Sequence, residues 1–125
     1  MADGKSTITG KRFLVLDDEF LIALDIQQIL EGAGAVSVIC AANSADALAA
    51  LQAGAKIDLA VLDIKLSGAS LSVAATLTAQ DTPFVFLTAM REDVEMRKFP
   101  EAPVVAKPSE APALLDAIIR ALGTR

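Results

Sequence analysis

The sequence predicts an α/β fold: a single doubly wound domain whose five-stranded parallel sheet carries helices on both faces. Three observations predict it. Five short, apolar, β-rich runs alternate with longer segments of helical periodicity. Neither an internal repeat nor a linker interrupts the alternation. The 125 residues, 54% of them apolar, suit one domain with a sizeable core.

The elements follow in order. Residues 12–17, RFLVLD, with four apolar residues in a row at 13–16, form a run of the buried-strand type. A helix is expected over 19–32, with Ile22, Ile26, Ile29 and Ala33 on one face, Leu30 beside them, and Gly32 and Gly34 as the stop. A second strand is expected over 36–40. Ser44 reads as the cap of a second helix that turns Ala47, Leu48 and Leu51 inward and ends at Gly54. The third strand spans 59–63, and a weakly patterned helix follows over 70–80. Pro83 opens a fourth strand, 84–88. The densely charged segment 91–98 reads as a short exposed helix, ended by Pro100 because the residue before a proline avoids the helical region. A fifth strand, 103–106, leads to a last helix capped by Ser109, with Leu114, Leu115, Ile118, Ile119 and Leu122 as its stripe and Gly123 as its stop. Residues 1–10 read as a polar tail without the apolar stretch of a signal peptide, leaving 11–125 for the domain.

Composition excludes several function classes. Net charge is −5 and no basic cluster stands out, which disfavours nucleic acid as a partner. The chain has no histidine, so Ser-His-Asp catalysis, Cys-His catalysis and His-ligated zinc are excluded. No apolar run approaches the roughly 20 residues of a membrane span. The single cysteine, Cys40, lies in an apolar run and has no partner for an internal disulfide. It reads as a buried core residue of a cytoplasmic protein.

Function is expected at the strand ends, because ligands of doubly wound sheets bind outside the carboxyl ends of the strands. Strand one ends in Asp17 and Asp18, followed by Glu19. Adjacent carboxylates repel by about 1 kcal/mol per pair in water and about 4 in a protein-like medium at roughly 4 Å, so something should offset them. Strand three ends in Asp63, strand four in Thr88-Ala89, and strand five runs into Lys107-Pro108. In a doubly wound sheet three carboxylates, a hydroxyl and an ammonium then meet in one pocket. A hard divalent cation such as Mg²⁺ stabilises carboxylates gathered in this way. Each residue alone has a plainer reading: Asp18 as a helix N-cap, Thr88 as an ordinary strand residue, Lys107 as a solvated loop lysine. Their joint placement, each at the same end of its own strand, points to a site.

The pattern of DD after strand one, D after strand three, TA after strand four and KP after strand five resembles the receiver domain of bacterial two-component response regulators. The resemblance covers residues 11–123. It implies a flavodoxin-like sheet of order 2-1-3-4-5. It also implies phosphoryl transfer to Asp63 from a sensor histidine kinase or a histidine phosphotransferase. Asp18 and Asp63 would ligate Mg²⁺, Asp17 would act through water, and the backbone carbonyl of Lys65 would complete the protein ligands. Thr88 and Lys107 would hold the phosphoryl oxygens, small Ala89 would let the backbone approach them, and a cis Lys107-Pro108 bond would aim the lysine inward. Such a domain promotes its own phosphorylation and dephosphorylation and acts on no separate substrate. No residues remain for an output domain, so the expected action is on an unknown downstream protein, or as a sink for phosphoryl groups.

PFVFLT, with a phenylalanine two before the threonine, looks like the stand-alone regulators tied to stress signalling in alphaproteobacteria. Those often carry Gly-Tyr after the threonine, where this chain has Ala89-Met90. Other departures are Ser67 in place of a proline four after Asp63, Ser109 after the Lys-Pro pair, and Val104 at the position of the switch aromatic. Lys65 pairs with a carboxylate or the incoming phosphate, or is a solvated loop lysine. Rival readings are weaker. A haloacid dehalogenase-type phosphatase needs a second aspartate at position 19, which is Glu19. A flavin or dinucleotide module needs a Gly- or Ser/Thr-rich phosphate loop where DDEF stands. A pseudo-receiver that only binds a partner is a further alternative, although all five site residues are present.

Overall fold

A computed structural model of the chain describes residues 8–63, 69–88, 99, 102–106 and 111–123, with only the main chain of residues 69, 70, 88, 106 and 111. The elements are β1 (Arg12–Leu16), α1 (Phe20–Gly32), β2 (Ser37–Ala41), α2 (Ser44–Gln52), β3 (Leu59–Asp63), α3 (Ala69–Ala79), β4 (Phe84–Thr88), β5 (Val104–Ala106) and α4 (Ala111–Gly123). The helix expected over 91–98 lies outside the described residues. All strand pairs are parallel and the order is β2-β1-β3-β4-β5, as expected. No helix among the described residues is long and apolar enough to cross a membrane.

The strand sequences are apolar at successive positions because both faces of the sheet are covered. Alternate residues serve different cores. Phe13, Val15, Val61, Val85, Leu87 and Val105 face α1 and α4, where Ala23, Ile26, Leu30, Leu114, Ala117 and Ile118 meet them. Leu14, Leu16, Ala60, Leu62, Phe84 and Phe86 face α2 and α3, packing on Ala47, Leu51, Val73, Ala74 and Leu77. Of the stripe expected on the last helix, Leu114 and Ile118 are fully buried, whereas Leu115, Ile119 and Leu122 pack at its margin.

Three helices end in the same hydrogen-bond pattern. In α1, Gly34 N–H donates to Glu31 O and Ala35 N–H to Leu30 O; in α2, Gly54 N–H donates to Leu51 O and Ala55 N–H to Ala50 O. In α3, Asp81 N–H donates to Thr78 O and Thr82 N–H to Leu77 O. The pattern needs a left-handed residue just past the helix. Gly34 (φ 108°) and Gly54 (φ 87°) adopt that conformation readily, whereas Asp81 (φ 59°) does so with a side chain.

Three expectations need correction. The cap of α2 is Asn43, not Ser44: Asn43 Oδ1 accepts from Asp46 N–H at 2.8 Å. Cys40 is exposed rather than buried, because β2 is the outermost strand of the sheet, with no strand beyond it among the described residues. Its thiol donates to Gln27 Oε1 at 3.5 Å. The polar tail also stops short of residue 10. Ile8 is fully buried in the α1/α4 core, and Gly10 N–H donates to Gly34 O at 2.9 Å.

Candidate functional site

Strand register builds the site. Leu16 stands opposite Leu62, so the next residues, Asp17 and Asp63, emerge abreast at the carboxyl ends of β1 and β3. Asp17 N–H donates to Ala41 O at 3.0 Å, which continues the β1–β2 ladder one step beyond the strand. Asp17 Oδ1 then accepts from Glu19 N–H at 2.9 Å. That bond turns the chain into α1 and holds the Asp17 carboxylate beside β3. Glu19 occupies the cap position of α1 and makes no side-chain capping bond there. Asp18 stands one residue ahead of that cap position, and one of its carboxylate oxygens belongs to the acidic cluster.

One carboxylate oxygen from each of Asp17, Asp18 and Asp63 lies within 4.8 Å of the others. Asp18 is exposed, whereas Asp17 and Asp63 are only 3% and 5% exposed. Two buried carboxylates about 5 Å apart repel by about 3 kcal/mol at an effective dielectric of about 20. An oxygen-only donor set of this geometry suits a hard divalent cation.

The remaining expected site residues are placed less fully. Thr88 closes β4 with its main chain abreast of Ala106, and Asp63 stands opposite Leu87, the residue before it. The ends of β1, β3 and β4 thus share one edge of the sheet. Lys65, Ala89, Lys107 and Pro108 lie outside the described residues. Val104 begins β5 opposite Phe86 and is 46% exposed.

Two features had escaped the sequence reading. Phe20 and Leu21, the first residues of α1, are 75% and 76% exposed immediately after the acidic turn. Their place ahead of the inward set that begins at Ile22 was the available signal. The second is a cluster of three rings, Phe84, Phe86 and Phe99, whose pairs all meet edge to face.

Comparison with known proteins agrees with this geometry. The family model described as the response regulator receiver domain matches residues 13–119. The chain is 37% identical over 84 residues to the Transcriptional regulatory protein YvrH of Bacillus subtilis (strain 168), covering 66% of this chain and 35% of that protein. It therefore spans about a third of that relative's length. Among solved structures, SdrG of Sphingomonas melonis Fr1 is 33% identical with a TM-score of 0.71, covering 90% of this chain and 97% of that one. The response regulator TrrA of Thermotoga maritima, in complex with Mg(2+)-BeF, is 30% identical with a TM-score of 0.72, covering 86% and 96%. The PhyR stress response regulator is 25% identical with a TM-score of 0.72, covering 96% and 49%. With the five-stranded order, the acidic edge and a family match across most of its length, the chain belongs to the response regulator receiver domain family.

Proposed function

We propose that this chain is a Mg²⁺-dependent phosphoryl acceptor that takes a phosphoryl group on Asp63 from a phosphohistidine of a sensor histidine kinase or histidine phosphotransferase. The observation that carries the reading is the meeting of the Asp17, Asp18 and Asp63 carboxylates within 4.8 Å at one sheet edge. In the transfer, an Asp63 oxygen forms a bond to phosphorus while the donor's nitrogen–phosphorus bond breaks, and the donor imidazole leaves. Hydrolysis of the resulting acyl phosphate by water returns Asp63 and inorganic phosphate.

Asp18 and Asp63 would hold Mg²⁺ directly, Asp17 through water, and Lys65 through its backbone carbonyl. When bound, the ion supplies positive charge against the phosphoryl oxygens and the acceptor carboxylate. The chain's own part is positioning. The bond from Glu19 N–H fixes Asp17, and Asp63 lies buried at the end of β3 with a carboxylate oxygen in the acidic cluster. Thr88, the Ala89 backbone and Lys107, in its turn with Pro108, would receive the phosphoryl oxygens.

We further propose that it signals as a stand-alone receiver, by contact with a downstream protein or by draining phosphoryl groups from its donor. The support is that SdrG and TrrA are spanned almost end to end, at 97% and 96% of their chains. Incubation with acetyl phosphate and Mg²⁺ tests the acceptor. Intact mass should rise by one phosphoryl group in the wild type and not in Asp63→Asn. Equal labelling of the two would sink the assignment.

A further inference from the structure

We infer that Ile8 is a positioning residue for the acidic site. Through a clasp formed by residues 8–11 it sets the carboxyl end of α1, and α1 carries that setting to the group that holds Asp17. The inference rests on the receiver reading above. It concerns a segment that lies ahead of the family match, which begins at residue 13. Ile8 is fully buried and belongs to the core that contains Ile26 and Leu30 of α1 and Leu114 and Ile118 of α4. A side chain that enters this core from ahead of the first strand fills space that the helices and the sheet leave open.

The main chain around Ile8 fastens it to the far end of α1. Lys11 N–H donates to Ile8 O at 3.0 Å, closing a turn in which Gly10 has a φ of 78°. Gly10 N–H donates to Gly34 O at 2.9 Å, and Val36 N–H donates to Lys11 O at 2.9 Å. Gly34 is itself tied to α1, its N–H donating to Glu31 O at 3.1 Å. Thr9 lies flush against Gly34, where an added Cβ would fall 2.6 Å from Thr9 Oγ1 and 3.0 Å from Thr9 Cα. Residues 8–11 therefore grip the turn between α1 and β2, with one side chain seated in the core.

The other end of α1 bears on the acidic site. Glu19 N–H donates to Asp17 Oδ1 at 2.9 Å, and Glu19 O accepts from Ala23 N–H at 3.0 Å. The residue that holds Asp17 is thus part of the helix's own hydrogen-bond ladder. The helix has 13 residues, about 20 Å of continuously bonded backbone. It is seated by Ala23, Ile26 and Leu30, in the same core as Ile8. When a side chain leaves a close-packed core, its surroundings move to fill part of the space. Loss of Ile8 therefore shifts α1, and α1 takes Glu19 N–H with it. Asp17 then loses its fixed geometry, and the site holds a cation less well. The coupling is reciprocal: a cation that fixes the acidic turn favours the closed clasp by the same factor.

The test uses the full chain and Mg²⁺ alone, with binding followed by calorimetry and clasp opening by hydrogen exchange at single amides. The Gly10 and Lys11 amides report the clasp, because both of their bonds break when Ile8 leaves. Ile8→Ala should weaken Mg²⁺ binding about five- to tenfold and speed exchange at both amides, and Ile8→Val should restore both. Val73→Ala is the control, since Val73 is fully buried in the core on the opposite face of the sheet. It should lower Tm and leave Mg²⁺ affinity and the clasp amides unchanged. In the wild type, saturating Mg²⁺ should slow exchange at Gly10 and Lys11. An Ile8→Ala protein with a lower Tm but wild-type Mg²⁺ affinity overturns the inference and leaves Ile8 a packing residue. An equal loss of affinity in Val73→Ala overturns it as well. If Ile8→Ala does not fold, the wild-type exchange decides alone, and clasp amides that ignore saturating Mg²⁺ overturn the inference. A wild-type chain that binds no Mg²⁺ overturns the receiver reading itself, and the inference falls with it.

Discussion

Replacing Asp17 by asparagine should make the metal-free protein more stable. Asp17 and Asp63 are both buried, with oxygens within 4.8 Å. At about 5 Å and an effective dielectric of about 20, their repulsion is about 3 kcal/mol. The substitution removes that repulsion and keeps an oxygen to accept the Glu19 N–H. A hydrogen bond to a charged acceptor contributes about 1.5–3 kcal/mol and one to a neutral acceptor about 0.5–1.5, so roughly 1 kcal/mol is lost. The net gain is about 2 kcal/mol, or a rise in Tm of roughly 8 °C for a chain of this length. Mg²⁺ should reverse the comparison. Wild type gains about 2.7 kcal/mol at a hundredfold excess of the ion over its Kd, and the variant, having lost one anionic group of the site, gains less. Thermal unfolding in EDTA and in Mg²⁺ measures both effects. An Asp17→Asn protein no more stable than wild type in EDTA, or an equal response of the two proteins to Mg²⁺, would refute the electrostatic account of the site.

Asp81→Gly should raise stability by about 0.5–1 kcal/mol in urea unfolding, because Asp81 holds a left-handed φ of 59° that glycine adopts without strain. Gly34→Ala should lower it by about 1–3 kcal/mol: its φ is 108°, and an added Cβ would come within 2.6 Å of Thr9 Oγ1. Gly32→Ala is the matched control, since an added Cβ there would meet nothing within 4 Å outside its own helix backbone, and it should be stabilising by up to about 1 kcal/mol. Partial burial, and then the Glu31 carboxylate, push the Cys40 thiol pKa above its ordinary value. A raised pKa leaves less thiolate, so iodoacetamide at mildly alkaline pH should label Cys40 more slowly than a free thiol, and Glu31→Gln should speed the labelling.

The sheet was legible because its central strands are apolar without interruption and end abruptly. Residues 59–63 and 84–88 are strands with the expected bounds, each closed by a change of residue type at Asp63 or after Thr88. The acidic site was legible for the same reason: parallel strands share a direction, so end residues in sequence become neighbours in space. Cys40 was misread because an apolar run does not distinguish an edge strand from a central one. The α2 cap was misread by one residue because Asn43 and Ser44 are both capping types, and only the 2.8 Å bond to Asp46 N–H separates them. Phe99 went unnoticed because its partners lie thirteen and fifteen positions back, beyond a charged segment. No local periodicity reports a contact over that distance.

The repulsion at the acidic edge also indicates how far its influence extends. It arises at the ends of β1 and β3, where Phe13, Leu14, Val15 and Leu16 stand beside Leu59, Ala60, Val61 and Leu62, all 4% exposed or less. Full burial of a large aliphatic or aromatic side chain contributes about 1.5–3 kcal/mol, so these two strands together contribute well over 10 kcal/mol before the conformational entropy that opposes folding. About 3 kcal/mol of repulsion is small beside that gross term, yet it is a large fraction of a typical net stability of 5–15 kcal/mol. The strands therefore hold the carboxylates in place without a metal, and a cation that enters meets a preformed acidic site rather than ordering one. It follows that Mg²⁺ should stabilise the protein strongly while changing little of its secondary structure, because the groups that gain from the ion sit past the last residues of the ladder and not within it.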